Sequence, residues 1–298
     1  MIDLHCHSTY SSDGSFSPAE LLDMAEQQHL EIFSITDHDH IGAYTDLSDP
    51  AIRNRFSGKI ITGAEISCIL DGQPVEILAY GFDPTKLADF TEKVRARKNR
   101  LSQLALLYRE YLAKGIKLPR PMEEYSDEEF LNPRRFVFYQ LVSERENHAF
   151  FLDFQNNSTA PLPYYRNELH NKKSPLYVDC SPLHFDVDEV IDAIHNAGGK
   201  AFLAHSFCYT SDIYENLDAI TYQHRFDGLE CFYPAFTPEQ TETITALCIK
   251  KNLLMSGGSD FHGAIRPQIS LGIGKGDFGV SKECTPWIFS LHFQKNML

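Results

Sequence analysis

Short apolar runs alternate with amphipathic helical patterns in the first third of the chain and again in the last third. Alternation of this kind is typical of α/β proteins, in which helices connect parallel strands and cover the sheet. The candidate strands, each short, apolar and followed by polar residues, are Ile2–His5, Ile32–Thr36, Lys59–Glu65, Val75–Tyr80, Lys200–Ala204, Gly228–Cys231 and Leu253–Gly257. The pattern therefore predicts a parallel α/β architecture.

Two helices have clear boundary signals in the sequence. Ser17 is a suitable N-cap, with Pro18 at the first helical position and Glu20 at the third, where a glutamate completes a capping box. A second helix is expected over about residues 186–197, because Gly198 and Gly199 follow it and glycine commonly ends helices.

The middle of the chain, residues 84–184, has a different pattern. It begins with a long predicted helix whose apolar positions fall near helical spacing: Leu87, Phe90, Val94, Leu101, Leu104, Tyr108 and Tyr111. Such a stripe needs a packing partner. A second helical stretch runs through Tyr139 and Leu141, before a polar, Asn-rich tail. We expect a mainly helical subdomain at 84–184, inserted into a domain formed by residues 1–83 and 185–298. The alternative is an enlarged loop between two strands.

The composition narrows the classes of function. The chain has 298 residues, with 27 Lys and Arg against 41 Asp and Glu, which gives a formal net charge of −14. A surface this acidic is unsuited to binding the backbone of long nucleic acids, although it does not exclude one small phosphorylated ligand. No signal peptide and no run of about 20 apolar residues is apparent. The seven scattered cysteines never form a C-x-x-C pair, so we expect a cytoplasmic protein without a disulfide framework or membrane association.

Histidines and carboxylates cluster at one kind of position, the carboxyl ends of the predicted strands or the loops that follow them. They are His5, His7, Asp13, His38, Glu65, His205, Asp260 and His262. His5 and His7 flank one residue, so strand alternation places both side chains on the same side. In a βα barrel the carboxyl ends of the strands share one face, which is where such folds place their chemistry. Imidazoles and carboxylates that converge in this way suit divalent zinc, manganese or iron, and a shared carboxylate can bridge two ions.

Several motifs that contain these residues resemble those of the PHP (polymerase and histidinol phosphatase) superfamily. The resembling stretches are Asp3–Ser8, Ser11–Gly14, Ile35–Asp39, Gly63–Ser67, Phe202–Ser206, Gly228–Glu230 and Gly258–Gly263, in the expected order across nearly the whole chain. The resemblance implies a distorted (β/α)7 TIM-like barrel of PHP type that holds two to three divalent metal ions. The inserted helical subdomain would interrupt this barrel.

The resemblance also implies how the ligands are shared. His5, His7, Glu65 and Asp260 would hold one ion, Glu65 would bridge to a second ion that His205 also holds, and Asp13, His38 and His262 would hold the third. The chain departs from the pattern where the family usually reads His-Ile-Leu-Gly, because it has Glu76-Ile77-Leu78-Ala79 there. A Glu76 carboxylate would favour a harder metal such as Mn²⁺ or Mg²⁺ over Zn²⁺ at the second site, or it would leave that site weak or empty.

Within the superfamily the chain is most similar to stand-alone phosphoesterases that act on nucleotides, including nucleoside 3′,5′-bisphosphate phosphatases and short-RNA exonucleases. The resemblance therefore implies hydrolysis of a phosphomonoester on a small substrate such as a nucleoside 3′,5′-bisphosphate, AMP or a short oligonucleotide. Clustered divalent ions lower the pKa of a bound water, and the resulting hydroxide can attack phosphorus in line. The candidate catalytic residues are Asp260, His205 and His262, with either histidine a candidate to protonate the leaving alkoxide.

Phosphate recognition beyond the metals calls for cations, and three arginines are candidates. Arg134 and Arg135 lie in the predicted insertion, where related enzymes place an arginine that is commonly followed by a histidine, and Arg266 lies just beyond the last motif. The planar fork of a guanidinium suits phosphate, but arginines on an amphipathic helix are as often a solvated face. The aromatic residues of 136–139 are candidates for stacking on a base, and helix burial explains them equally well.

Two alternatives to a nucleotide phosphatase remain open from the sequence. One is a phosphatase for another metabolite, such as histidinol phosphate. The other is a binding or sensor protein that keeps the fold but has lost turnover through Glu76 and the altered Arg135-Phe136 region. The sequence does not predict an oligomeric state.

Overall fold

A computed structural model describes residues 1–126, 132–274, 279–280 and 285–290 of the chain. These residues divide into two compact units. The first, which we call the sheet unit, comprises Met1–Cys68, Val75–Val94 and the described residues from Val187 onward. The second, which we call the helical unit, comprises Ile69–Pro74 and Arg95–Asp186. The domain boundaries expected at residues 83/84 and 184/185 stay a prediction.

The strands are short, and most form parallel pairs. They are β1 (Ile2–Asp3), β2 (Ile32–Phe33), β3 (Lys59–Ile60), β4 (Gly63–Leu70), β5 (Gln73–Tyr80), β6 (Phe185–Asp186), β7 (Lys200–Leu203), β8 (Gly228–Phe232) and β9 (Leu254–Gly257). One sheet is the parallel set β1-β2-β3. In the other sheet β4, β5, β7, β8 and β9 lie side by side in that order, and β7-β8-β9 are parallel. A mixed α/β fold with a parallel sheet core is confirmed.

Strand β5 is an exception to the predicted parallel arrangement, because it pairs antiparallel with β7. Only Asp71 and Gly72 connect β4 to β5, and both have positive φ angles, 51° and 76°. A connection of two residues permits a hairpin and leaves no length for a crossover helix. The predicted strand Lys59–Glu65 is also divided between β3 and the start of β4.

The strands of the described residues form two separate sheets rather than one closed barrel. Individual backbone hydrogen bonds nevertheless connect neighbouring edges. The amide of Leu4 donates to the carbonyl of Gly257 over 3.2 Å, and the amide of Glu65 donates to the carbonyl of Asp37 over 3.2 Å. The first of these bonds brings the beginning of the described chain against the end of β9.

Helices of the sheet unit cover its strands with apolar side chains. They are α1 (Pro18–Gln27), α2 (Ala43–Asp46), α3 (Pro50–Arg53), most of α4 (Pro84–Arg97), α9 (Val187–Asn196), α10 (Ser211–Tyr214), α11 (Leu217–Gln223) and α12 (Pro238–Lys251). The capping box predicted at Ser17 and Glu20 is confirmed, and α1 buries Leu21, Leu22 and Ala25. A core beneath the sheets includes Ile2, Leu4, Ile32, Leu78, Tyr80, Phe202 and Trp287.

The long helix predicted at the start of the middle region is wrong, because the structure has two helices there. Helix α4 ends at Arg97, and α5 spans Arg100–Ala113. The side chain of Asn99 accepts a hydrogen bond from the amide of Ser102 and so caps the new helix. Leu101, expected in the apolar stripe, is 67% exposed as a result of this break.

The helical unit has an apolar core of its own. Its further helices are α6 (Pro133–Ser143), α7 (Phe154–Asn157) and α8 (Pro161–Tyr164). The core includes Leu104, Tyr108, Tyr111, Phe136, Phe138, Leu141, Tyr164 and Leu176. Among the described residues, no helix of either unit is long and apolar enough to cross a membrane.

Candidate metal centre

The ends of four parallel strands bring the predicted ligands together in the sheet unit. His5 and His7 follow β1, His38 follows β2, His205 follows β7, and Asp260 and His262 follow β9. Backbone hydrogen bonds fix these segments beside one another: the amide of Asp260 donates to the carbonyl of His5 over 2.7 Å, and the amide of His7 donates to that of Phe261 over 2.9 Å. The ligand-bearing loops are therefore held through their main chains.

Glu76 reaches the same place from the opposite direction. It lies in the first half of β5, which runs antiparallel to β7, and its carbonyl accepts a hydrogen bond of 3.0 Å from the amide of Ala204. The early part of an antiparallel strand therefore lies level with the carboxyl end of its neighbour. The carboxylate of Glu76 is 3.4 Å from Nε2 of His205 and 3.7 Å from Nδ1 of His38.

The buried carboxylate of Glu65 lies at the centre of the cluster. Its Oε1 is 2.9 Å from Nε2 of His205. Its Oε2 is 3.3 Å from Nε2 of both His5 and His7, and 3.1 Å from Nδ1 of His38. One carboxylate thus faces four imidazoles, which is the arrangement needed for a group shared by two cations.

Three of the imidazoles that present Nε2 to the cluster have a hydrogen-bond partner at Nδ1. His5 Nδ1 lies 2.8 Å from Glu230, His7 Nδ1 lies 3.1 Å from the hydroxyl of Ser11, and His262 Nδ1 lies 2.9 Å from the carbonyl of Asp260. These partners occupy Nδ1 and leave Nε2 as the lone-pair nitrogen.

The atoms left over are those that a metal ion would bind. Among the described residues, Nε2 of His5, His7 and His262 and Oε2 of Glu65 are buried and form no hydrogen bond, because their contacts of 3.1–3.4 Å lack hydrogen-bond geometry. A buried polar atom without a partner is costly, and a cation removes the cost. Ligand atoms within 4.8 Å of one another define three groups, which are His5-His7-Glu65, His7-His38-His262 and His38-Glu65-Glu76. The donor set of nitrogens and carboxylate oxygens fits divalent metals of the zinc, iron and manganese type.

Asp13 closes one side of the cluster. Its Oδ2 is 3.7 Å from Nε2 of His38 and 3.4 Å from Nε2 of His262. His38 and His262 lower the pKa of Asp13 well below its ordinary value, against the effect of burial. Asp13 is therefore ionised and available as a ligand.

Burial and neighbouring imidazoles keep His7 neutral. Burial, His262 and His38 together lower the pKa of His7 to about 3. Burial would raise the pKa of Glu65, but His5 and His38 hold it well below its ordinary value. A neutral imidazole beside an ionised carboxylate is the protonation state that binds a cation.

The pKa values of His5 and His38 are shifted in the opposite direction, upward. Burial lowers an imidazole pKa, yet Glu230, Glu65 and Asp260 raise that of His5 well above its ordinary value. Glu65 in particular raises the pKa of His38 to about 10, again against burial. Protons on these imidazoles offset the buried carboxylates, and a bound cation would replace them.

Asp260 divides its two oxygens between the cluster and a support. Oδ1 is 3.4 Å from Nε2 of His5 and 3.2 Å from Nε2 of His7. Oδ2 accepts a hydrogen bond of 2.7 Å from the hydroxyl of Tyr233, and it also forms an ion pair with the guanidinium of Arg266. Arg266, predicted as a phosphate-binding residue, thus lies at the cluster and contacts one of its carboxylates.

Several supporting residues were not identified as functional from the sequence. Glu230 binds Nδ1 of His5 and also accepts from the amide of His205 over 2.7 Å. Glu230 lies within the Gly228–Glu230 motif, two residues before the end of β8. Because other predicted ligands follow strands at the same sheet edge, this position could have indicated a role for Glu230 at the site. Tyr233 had no comparable signal, because only the fold brings it to Asp260.

The loop that carries His7 is held by a second supporting pair. The hydroxyl of Ser11 donates to Asp37 over 2.9 Å and accepts from the amide of His38 over 2.9 Å. Asp37 also accepts from the amide and hydroxyl of Ser8, each over 2.7 Å. Asp37 therefore orders the loop and does not face the cluster itself.

The other candidates for substrate contact belong to the helical unit. The guanidinium of Arg134 lies 4.9 Å from the ring centroid of Tyr165, and Arg135 donates to the hydroxyl of Tyr139 over 3.4 Å. A role for either arginine in binding phosphate stays a prediction. The aromatic residues Phe136 and Phe138 are only 1% and 2% exposed, so burial in the helical core accounts for them.

Comparison with known proteins finds a family model and relatives that match most of the chain. The family model described as PHP domain matches residues 3–234. The 5′-3′ exoribonuclease Rnm of Escherichia coli is 28% identical over 274 residues, which cover 91% of this chain and 87% of that protein. The 3′,5′-nucleoside bisphosphate phosphatase of Chromobacterium violaceum is 24% identical over 265 residues, which cover 88% of this chain and 87% of that protein.

A solved structure supports the fold. A Bifidobacterium adolescentis protein, assigned provisionally as a metal-dependent phosphoesterase, superposes with a TM-score of 0.65. The alignment covers 99% of this chain and 97% of that one at 22% sequence identity. At this level of identity the likeness concerns the fold alone.

Proposed function

The chain belongs to the PHP domain family, and from this premise we propose that it hydrolyses a phosphomonoester of a nucleotide or of a very short oligonucleotide. Its membership makes it a metal-dependent phosphoesterase. The remaining parts of the proposal, the metal ligands and the class of substrate, are argued from the residues of this chain.

The observation that carries the proposal is the set of buried, unpartnered ligand atoms around Glu65 among the described residues. We propose that two to three divalent ions bind there, drawn from Mn²⁺, Zn²⁺, Fe²⁺ and Mg²⁺. Their ligands would be His5, His7, Asp13, His38, Glu65, Glu76, His205, Asp260 and His262. Bound ions of this type supply a water of lowered pKa and neutralise charge on the phosphoryl oxygens.

The side chains of the protein orient this chemistry. Glu65 presents one oxygen to His205 and the other to His5, His7 and His38, so it fixes the spacing between ion positions. The side chain of Arg266 is 39% exposed while it contacts Asp260, so it lies at a solvent-accessible edge of the cluster. It is thereby placed to bind an oxygen of the substrate phosphate. His205 and His262 remain the candidates for protonating the leaving group.

A nucleotide is the substrate that the sequence and the relatives favour. Two curated relatives over most of the chain are named for activities on nucleotides or RNA. The formal charge of −14 opposes binding of long nucleic acids, so we propose a small phosphorylated substrate. A cytoplasmic location would be consistent with such a substrate.

We propose further that the two sheets are parts of one distorted (β/α)7 barrel, interrupted by an insertion at 84–184. The hydrogen bonds from Leu4 to Gly257 and from Glu65 to Asp37 support this, because they lie between neighbouring edges of the sheets.

Turnover of a substrate panel tests the proposed function. Protein loaded with manganese is offered adenosine 3′,5′-bisphosphate, AMP, a dinucleotide and histidinol phosphate, and released phosphate is measured. We expect hydrolysis of the nucleotides, and a loss of at least a hundredfold in Asp260→Ala, because Asp260 faces both His5 and His7.

The matched control is Asp89→Ala, which removes an exposed carboxylate on α4. We expect it to retain wild-type rates. Preference for histidinol phosphate would reassign the substrate class, and no turnover by protein with a filled metal site would favour a binding protein.

A further inference from the structure

Five aromatic side chains of the sheet unit lie on the two segments that lead away from the candidate metal centre. Phe207, Tyr209 and Tyr214 lie in the segment after β7, and Tyr233 and Phe236 lie at and after the end of β8. We call these five residues the aromatic wall. Both segments begin at the sheet edge that carries His205 and Glu230.

The rings form a continuous series of contacts that begins at His205. The centroid of the His205 ring is 5.4 Å from that of Tyr209 and 5.3 Å from that of Tyr233. Beyond Tyr233, the ring of Phe236 is 5.3 Å away, and Phe207 follows 5.1 Å from Phe236. Tyr214 ends the series 6.0 Å from Phe207.

Hydrogen bonds fix the two rings nearest the cluster. The hydroxyl of Tyr233 donates to Asp260, and the hydroxyl of Tyr209 accepts from the amide of Glu76 over 2.8 Å. Both partners are candidate ligand residues, so the orientation of the rings depends on the same framework as the metal centre. These two rings are thus held in place before any substrate arrives.

The aromatic wall is partly open to solvent. Phe207, Tyr209, Tyr233 and Phe236 are half-buried and Tyr214 is exposed, in contrast to Phe136 and Phe138 of the helical core. A contiguous apolar patch that remains open to solvent often marks a binding site. Rings that are fixed, partly exposed and adjacent to a reactive centre suit a flat apolar ligand group.

We propose that the aromatic wall is a stacking site for the nucleobase of the substrate whose phosphate lies at the metal centre. This inference rests on the proposed function and adds the part of the substrate that carries no charge. A base offers a flat π face to Tyr or Phe, and stacking of this kind tolerates any base. The enzyme would accordingly distinguish nucleotides from phosphorylated metabolites that lack a base, and it would discriminate little among bases.

Phe236 is the best residue for a test, because its ring has no polar atom and it is one ring removed from His205. The variant Phe236→Ala is compared with wild type for hydrolysis of AMP and of ribose 5-phosphate, which lacks the base. We expect the ratio of kcat/KM for AMP to that for ribose 5-phosphate to fall at least tenfold. Phe236→Leu keeps an apolar side chain without the π face and should show the same change in ratio.

Equilibrium binding supplies a second readout that does not depend on turnover. Adenosine carries the base without a phosphate, and its affinity is measured by calorimetry on the metal-loaded proteins. We expect the Phe236 variants to bind adenosine at least tenfold more weakly than wild type. The matched control is Tyr222→Ala, which removes a ring that is 85% exposed on α11, outside the aromatic wall, and should change neither readout.

The outcomes separate this inference from the proposed function. If wild type prefers AMP and both Phe236 variants keep that preference and their adenosine affinity, the aromatic wall is not the base site. If wild type hydrolyses ribose 5-phosphate as well as AMP, the proposed nucleotide function fails. Adenosine binding that depends on Phe236 would still support a base site in that case.

Discussion

Glu230 shows how one residue determines the chemical state of another. Its two oxygens accept from Nδ1 of His5 and from the amide of His205, so it fixes both the tautomer of one ligand and the main chain of another. A carboxylate behind a ligating imidazole increases the basicity of the ring and holds its orientation. Glu230 is thus a positioning residue for the proposed metal centre.

Replacing Glu230 by Gln should weaken metal binding without removing any ligand. His5 and His205 bind different oxygens of Glu230, and glutamine replaces one of these oxygens by an NH2 group that donates, so one of the two hydrogen bonds is lost. Glutamine also carries no charge to favour the Nδ1-protonated ring. We expect a loss of about 10- to 100-fold in metal affinity, measured by competition with a chelator of known affinity. Glu242→Gln, an exposed change on α12, should bind metal as wild type does, and equal affinities in the two variants would contradict the positioning role.

His170 of the helical unit gives a pH dependence that is independent of the metal centre. Burial lowers its pKa to about 3, and the nearby Arg134 and His184 add to the shift. The unfolded residue binds a proton below about pH 6.5, whereas the folded residue does so only near pH 3. The free energy of unfolding should therefore be fully retained above pH 6.5 and fall as the pH decreases toward 3.

The variant His170→Gln removes this titration. We expect its unfolding free energy to fall less steeply with decreasing pH than that of wild type, by up to about 1.4 kcal/mol per pH unit between pH 6 and pH 4. Urea unfolding at several pH values, followed by circular dichroism, measures the slope. Parallel slopes for the two proteins would show that His170 protonates equally in both states.

At the scale of elements, the close approach of β1 and β9 depends on a residue without a side chain. A Cβ atom at Gly258 would lie 2.2 Å from the amide nitrogen of His5 and 2.5 Å from its Cβ. The segment after β9 therefore has no space for alanine unless it moves away from His5. Such a movement would separate Asp260 from His5 and His7.

Gly258→Ala should accordingly impair the metal centre through geometry alone. We expect at least a tenfold loss of metal affinity and a lower unfolding temperature, measured by chelator competition and by thermal denaturation. The control is Gly279→Ala, because a Cβ atom there would meet nothing within 4 Å. Unchanged metal affinity in Gly258→Ala would mean that the loop accommodates the methyl group without moving its ligands.

Elements were predicted from the sequence with uneven success, for physical reasons. The beginning of α1 was predicted well because capping is a local interaction among Ser17, Pro18 and Glu20. The break at Asn99 was missed because the apolar spacing continues across it. The direction of β5 was also missed, since an apolar run specifies burial but not whether a strand runs parallel or antiparallel.

At the scale of the whole molecule, the motifs predicted which residues meet, but not what supports them. The structure places the nine residues predicted as ligands in one cluster, although their roles stay a proposal. Tyr233 and the aromatic wall could not be predicted, because their importance comes from distances between separate segments. Phe136 and Phe138 were plausible base-stacking residues by type, and only their burial in the helical core argues against them.

The backbone hydrogen bonds between the segment after β1 and the segment after β9 have a consequence for the order of events during synthesis. His5 and His7 are synthesised before Asp260 and His262, which follow them by more than 250 residues. Until the segment after β9 is made, a nascent chain would hold seven of its nine proposed ligands but would lack Asp260, which faces both His5 and His7, so its sites for metal would be weak. Metal loading should therefore be a late step, coupled to the docking of the segment after β9 against the segment after β1.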